Sequence, residues 1–320
     1  MWGVLMAKFM LKRILSAVPT LIIVLSLVFI LMRVIPGNPL YSMTDEDTSA
    51  EDIKEMSDLL GFNDPIWEQY LRYIGNTLRG DWGKSYFNGL PVFENIRSRL
   101  EPTIMITIFS TIITIIIGVP VGVIAATHRN SWLDYSLSSA SVVFLTIPSF
   151  WLGILMVYFL AFKLGLFPTQ GYAYIAKSGF WKALHYVTMP SLTLGLTHVA
   201  SIARQTRSAM LNVISEDYIR TARAKGFSDR VVYYKHALKN TLSLIFTLIA
   251  TSIAGMLGGS TIIEKVFNIN GVGKLAYESL MRRDYSQEQA IILFMSLIFI
   301  GMNIILDILY KLIDPRVDFG

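Results

Sequence analysis

Five stretches of this chain hold no Lys, Arg, Asp or Glu: Ile14–Met32, Pro102–Thr127, Tyr135–Phe162, Thr241–Ile263 and Gln289–Leu306. Each is close to the ~20 residues a helix needs to cross ~30 Å of hydrocarbon. The apolar residues come in blocks, without the periodicity of a half-buried helix or strand. A sixth run, Pro190–Met210, is apolar until Arg204 and Arg207, which suit the point where a helix leaves the bilayer. Six transmembrane helices are therefore expected, in an all-α polytopic membrane protein. Composition agrees. Of 320 residues, 53% are hydrophobic and 16% charged, where a soluble domain carries about 25% charged residues.

Lys8, Lys12 and Arg13 precede the first run, as in a secretory signal. The run is longer than a signal core and lacks a small-x-small cleavage site before Arg33-Val34-Ile35-Pro36, so it reads as a retained span. Basic residues favour the cytoplasmic side, which places the N-terminus inside and, with six spans, the C-terminus inside as well. The segment Pro36–Glu101 then lies outside, with twelve acidic residues, including Asp45-Glu46-Asp47, against six basic. Within it Ser49–Leu60 and the amphipathic Ile66–Leu78, with Trp67, Tyr70, Leu71 and Ile74, suggest a small helical outer subdomain between spans 1 and 2. The segment Ala203–Asn240 falls inside, with eight Lys or Arg against three Asp or Glu. Three regions result: 1–35, the cytoplasmic N-terminus and first span; 36–101, an outer helical segment; and 102–320, a core with a cytoplasmic loop at 211–240. Trp132, Tyr135, Trp181 and Tyr310 fit interfacial belts. The net charge of +5 sits in loops beside the bilayer and does not point to nucleic acid.

Inside the runs, Gly118 and Gly122 form a small-xxx-small pair, and Ala250, Ala254 and Gly258 a longer stripe. These suit close helix packing or the lining of a passage. Pro120 and Pro148 remove backbone donors and invite kinks. None of the five uncharged runs offers a central charge, so an ion-coupled carrier, which needs buried ionisable groups, is weakly supported. His198 either lines a pathway or packs with a hydrogen bond, and Asp307 either snorkels or pairs with Lys311 one turn on. Gly83-Lys84-Ser85 lacks the glycine of a phosphate-binding loop, since Leu78 stands in its place, and Gly271-Val272-Gly273-Lys274 lacks the strand-to-helix setting. There is no cysteine, no short metal-ligand spacing among the four histidines and no nucleophile–base constellation. Catalytic, metal and cofactor residues are accordingly not assigned.

The cytoplasmic loop carries the most information. Asp217 suits a helix start, Arg223 and Lys225 a last turn, and Gly226 a left-handed terminus. Ser228 or Asp229 can cap a following helix through Val231, Tyr234 and Leu238. Thr221, Ala222 and Ala224 keep the first helix slim enough for a groove, with Arg220, Arg223 and Lys225 offering charge-assisted contacts around it. Such a helix–turn–helix either docks on a partner and moves the adjoining spans, or is a solvated basic connector.

The run Tyr218-Ile219-Arg220-Thr221-Ala222-Arg223-Ala224-Lys225-Gly226, followed by Lys235-His236-Ala237-Leu238-Lys239-Asn240, resembles the coupling motif of ABC importer permeases, in particular the oligopeptide/dipeptide (nickel) branch. The general motif has Glu-Ala-Ala, three residues, then Gly; here Arg220-Thr221-Ala222 stands before Gly226, and the closing Leu-Pro is missing. The likeness spans the chain in shared order. It includes Ile35-Pro36-Gly37-Asn38-Pro39, Gly80-Asp81-Trp82-Gly83-Lys84-Ser85, Ile147-Pro148-Ser149-Phe150 and Leu164-Gly165-Leu166-Phe167-Pro168. It continues through Ile263-Glu264-Lys265-Val266-Phe267, Gly271-Val272-Gly273, Arg283-Asp284-Tyr285 and Asp314-Pro315-Arg316. The resemblance implies a MetI-like, type I permease in a prokaryotic cytoplasmic membrane. It would form a heterodimer with a homologous permease, dock on two cytoplasmic ATPase subunits and receive substrate from an extracytoplasmic binding protein. It implies ATPase-coupling roles for Asp217, Tyr218, Arg220, Thr221, Ala222, Ala224, Lys225 and Gly226. The outer segment and the Glu264–Tyr285 loop would meet the binding protein. The implied cargo is di- or oligopeptides, with nickel chelates or another small solute as the alternative.

Overall fold

The computed structural model describes residues 2–34, 40 and 49–313, with only the backbone of 2–12, 14, 50, 307 and 309–313. The expected Asp307–Lys311 pairing, the side chain of Tyr310 and the stretches at 35–39, 45–47 and 314–316 lie outside the described residues. In the described residues the chain is helical, and it falls into two compact units, 1–100 with 274–304, and 101–273 with 305–320.

The first unit contains α1 (Trp2–Val34), α2 (Ala50–Leu59) and α3 (Ile66–Leu78). It also holds the start of α4 (Val92–Ile113) and most of α13 (Val272–Arg282) and α14 (Tyr285–Ile313), numbered in chain order with the elements below. Ser49 caps α2 by accepting from the Asp52 amide. The sequence-expected outer helices are both present. The apolar stripe of α3 is one-sided because 3.6-residue periodicity collects Tyr70 and Ile74 on the same face as Ile66 and Trp67. Tyr70 reaches Ser26 on α1, with the two hydroxyl oxygens 2.7 Å apart, and Phe29 of α1 meets Tyr70 edge-on and Tyr73 stacked.

The second unit holds the rest of α4, a π-helical stretch Thr114–Gly118 and α5 (Val119–Thr127). Next come α6 (Trp132–Thr146), α7 (Ser149–Met156) with a π-helical extension Val157–Lys163, and α8 (Ile175–Ser178). Then follow α9 (Phe180–Ile214), α10 (Asp217–Ala224), α11 (Asp229–Val231), a π-helical stretch Val232–Ala237, and α12 (Leu238–Val266). The centre is α9, which packs against α5, α6, α7 and α12. Its Met189 and Leu194 join Met105, Ile106, Met256 and Phe267 in one core. Gly118 and Gly122 serve packing. A Cβ on Gly122 would stand 2.5 Å from the Ala203 carbonyl oxygen, so the α5–α9 crossing requires a residue without one. The second small-residue stripe is not uniformly packed: Ala250 is buried, while a Cβ added at Gly258 would meet no neighbouring element within 4 Å.

Among the described residues, four helices are long and apolar enough to cross a membrane, Leu15–Val34, Val92–Thr127, Asp229–Val266 and Tyr285–Leu306. A fifth arises if the pair Trp132–Thr146 and Ser149–Lys163, bent by 96°, is one span. Expectation had six. The third span is not one straight helix: Ile147, ahead of Pro148, is driven to extended geometry (ψ 121°), so the proline breaks the helix outright. The fourth run lies inside α9, which is long enough but fails on apolarity. Protein neighbours cover α9, so polar groups there meet protein, where they are tolerated. Ser110 and Thr114 illustrate this by donating to the Ser191 and Gly195 carbonyls of α9 at 3.1 and 3.2 Å.

Candidate functional site

The loop helix predicted from Asp217 is α10, and it ends as the sequence requires. Lys225 closes it and Gly226 takes φ +81° with open space around it, a conformation costly to any residue with a Cβ. Ser228 occupies the N-cap geometry of α11, though its side chain makes no cap bond. The π-helical stretch then feeds the chain without a break into α12.

What α10 turns inward differs from expectation. Ile219 and Ala222, three residues apart and hence on one face, are buried in a cluster with Val123, Ala126, Met210, Val232 and Ala237. Ala222 therefore seats α10 on its own chain and is not part of a slim outer surface. Of the three cations, Arg223 is also engaged internally. It pairs with Asp229 at 3.4 Å, donates to the Tyr233 hydroxyl at 3.1 Å and lies over the Tyr233 ring. Tyr218 is tied to α12, its hydroxyl accepting from Asn240 Nδ2 at 2.6 Å. The outward face consists of Asp217, Arg220, Thr221, Ala224 and Lys225 with the exposed edge of Tyr218. Arg220 and Asp217 form an exposed ion pair at 3.1 Å, which contributes little to stability.

Met210 links this helix to the membrane core. One turn before it on α9, Arg207 clamps Asp134 at the start of α6 through two bonds of 2.6 and 2.7 Å. Asp134 is 2% exposed, so its carboxylate depends on Arg207 for compensation. The path from α10 through Met210 to α9 and α6 is thus packed and charge-locked. Sequence reasoning missed the Asp134–Arg207 pair. Its only trace was two opposite charges flanking apolar runs, 73 residues apart.

The other family-like fragments resolve into internal staples. Asp284 is buried and accepts from the Ser85 hydroxyl and, at 3.2 Å each, from the Tyr86 and Gln287 amides. Asn95 Nδ2 donates to Gln287 Oε1 at 2.8 Å. Glu264 is fully buried and accepts from Thr103 Oγ1 at 2.7 Å, while that same oxygen accepts from the Val272 amide at 2.8 Å. A Cβ on Gly271 would lie 2.3 Å from the Glu264 carboxyl carbon, so the glycine lets the loop pass over the acid. Glu264 is therefore turned away from any outside partner, and the loop exposes Asn268, Asn270, Tyr277, Leu280 and Met281 instead. His198 shares a hydrogen bond with Ser252 at 2.8 Å, the packing alternative for that residue. Among the described residues, no group of three or more potential metal ligands is brought together.

A membrane subunit helical in its described residues, with a short amphipathic loop helix seated on its core, fits an importer permease. The chain belongs to the family described as "Binding-protein-dependent transport system inner membrane component", which matches residues 118–319. The corresponding N-terminal family matches residues 6–107. It is 36% identical over 316 residues to the oligopeptide transport system permease protein AppB of Bacillus subtilis (strain 168), covering 98% of this chain and 100% of that one. It is 39% identical over 314 residues to the glutathione transport system permease protein GsiC of Escherichia coli (strain K12), with the same coverage. The inward-facing MetNI methionine ABC transporter shares the fold, with a TM-score of 0.58, 19% identity, and coverage of 70% of this chain and 98% of that one. The chain is thus an ABC importer permease, embedded in the membrane, whose ATPase and substrate-binding components are separate subunits.

Proposed function

We propose that this permease forms one half of the path for di- or oligopeptides, paired with a homologous permease as a heterodimer, and that α10 is its ATPase-coupling helix. The peptide assignment follows the named cargo of its relatives, oligopeptides and glutathione, itself a peptide. Both termini would be cytoplasmic, six segments would cross the membrane with α9 as the fourth, and the outer segment and Glu264–Tyr285 loop would face the binding protein. Residues 211–240 would form the cytoplasmic coupling region of the core. The observation that carries the coupling assignment is the two-faced character of α10, with Ile219 and Ala222 anchored inward. Asp217, Tyr218, Arg220, Thr221, Ala224 and Lys225 would touch the ATPase, and Gly226 would fix the turn. Ala222 would act indirectly, by seating the helix.

The mechanism is mechanical. A nucleotide-driven shift of the ATPases would displace α10 as a rigid body, because its buried anchors resist sliding. Met210 would pass that displacement to α9, and the Arg207–Asp134 clamp would carry it into α6. The test uses the complete importer in proteoliposomes with its binding protein, measuring ATP-dependent peptide uptake. Gly226→Pro, which cannot adopt φ +81°, is expected to cut uptake by about tenfold or more, through misorientation of α10, while membrane insertion is retained. Undiminished uptake would refute the coupling role. A binding protein that holds no peptide would refute the cargo assignment.

A further inference from the structure

Within the first unit a cavity of about 460 Å³ opens where α1 ends and α14 begins. That volume lies in the range of small-molecule sites, about 300–1,000 Å³. Three cationic side chains, Arg33, Arg72 and Lys84, line it against one carboxylate, Asp81, among the described residues. Arg72 is neutralised by Asp64, and Asp81 already accepts from the Gly83 amide at 2.9 Å. Arg33 is different. Its guanidinium stacks over Phe29, 3.4 Å from the ring centroid, and donates to Gln69 Oε1 and the Phe29 carbonyl, so among the described residues its neighbours are neutral acceptors.

Two further donors line the same cavity with nothing to bond. Tyr73 Oη and Gln289 Nε2 are buried and make no hydrogen bond, and Gln289 is only 7% exposed. Buried polar atoms normally find a partner, so two orphans on one cavity wall call for an explanation. Burial pushes the Tyr73 phenol well above its ordinary range, which keeps it a neutral donor across physiological pH. A wall whose described residues carry surplus positive charge and spare donors is complementary to a group that only accepts hydrogen bonds and carries negative charge.

We propose that this cavity binds an oxyanionic group, a carboxylate or a phosphate, held by Arg33, Tyr73 and Gln289 with Lys84 at the rim. Two sources supply that chemistry. The ends of α1 and α14, both apolar enough to cross the membrane, belong at headgroup level, where lipid phosphates are abundant. A soluble solute ending in a carboxylate, such as a short peptide, is the other. The proposal does not depend on which solute the importer carries.

The test uses the assembled permease–ATPase complex in maltoside detergent, without the binding protein. Trp82 lines the cavity and serves as reporter, read as the fluorescence difference from a Trp82→Phe complex. Glycerol 1-phosphate is titrated in one arm and N-acetylalanine in the other, with neutral N-acetylalaninamide as control. A saturable response to either oxyanion and none to the amide is expected. Phosphate alone would point to a lipid headgroup and carboxylate alone to a solute terminus. Tyr73→Phe removes only an unbonded hydroxyl, so its melting temperature should match or exceed the parent while affinity falls about tenfold; Gln289→Leu should lose a similar factor. Absence of a saturable response to both oxyanions overturns the proposal, as does parental affinity in both variants.

Discussion

In the first unit the polar stretch Gly80–Ser85 ends by turning Ser85 inward, where its hydroxyl and the Tyr86 and Gln287 amides close on the buried carboxylate of Asp284. In the second unit the polar stretch Asp217–Lys225 turns outward, held by only two buried side chains, Ile219 and Ala222. Both stretches match a family pattern, yet the first ends on a buried carboxylate of its own chain, while the second keeps all its charged side chains exposed. Motif likeness alone does not separate a staple from a docking surface. The separation comes from where the hydrogen-bond partners are, since a buried carboxylate must be paired and an exposed one need not be.

Three substitutions sharpen that contrast, in order of falling effect. Asp284→Ala leaves the Ser85 hydroxyl and two amides without their acceptor and should cost about 3 kcal/mol or more. The readout is a lower melting temperature in detergent, with uptake lost only in proportion to folded protein. Ile219→Ala empties a fully buried site beneath α10 and should cost about 2–4 kcal/mol. Here uptake per folded molecule should fall as well, because the helix loses its seat. Arg220→Ala removes half of an exposed pair and should change stability by less than about 0.5 kcal/mol. Its effect should appear instead in coupling, as ATP hydrolysis that proceeds with less uptake per turnover. A reversal, with Arg220→Ala destabilising and Asp284→Ala uncoupling, would break the comparison.

Much of this was legible in the sequence. Four uncharged runs became long apolar helices because lipid-facing surface must be apolar along its length. The amphipathic Ile66–Leu78 and the end of α10 at Gly226 were readable from local chemistry, periodicity in one case and a left-handed turn in the other. Pro148 signalled a kink and delivered a break. The character of α9 was less legible, because a helix wrapped by other helices escapes the apolarity that lipid demands. Nor could the inward face of α10 be assigned, since Ala222 and Ala224 are alike in composition and only tertiary packing distinguishes them. The partners Ser85 and Asp284 lie 199 positions apart, and each fragment alone gave no sign of the other.

The chain contains no cysteine, so single cysteines can be placed on α10 without background. Thr221→Cys, Ala224→Cys and Ala222→Cys, each in an importer that takes up peptide with its ATPase partners, can be probed with a short thiol cross-linker. Cross-links to the ATPase from positions 221 and 224, with little or none from 222, are expected from a helix that presents one face and buries the other. Cross-linking at 222 alone, or at none of the three in an actively importing complex, would contradict the coupling role of α10.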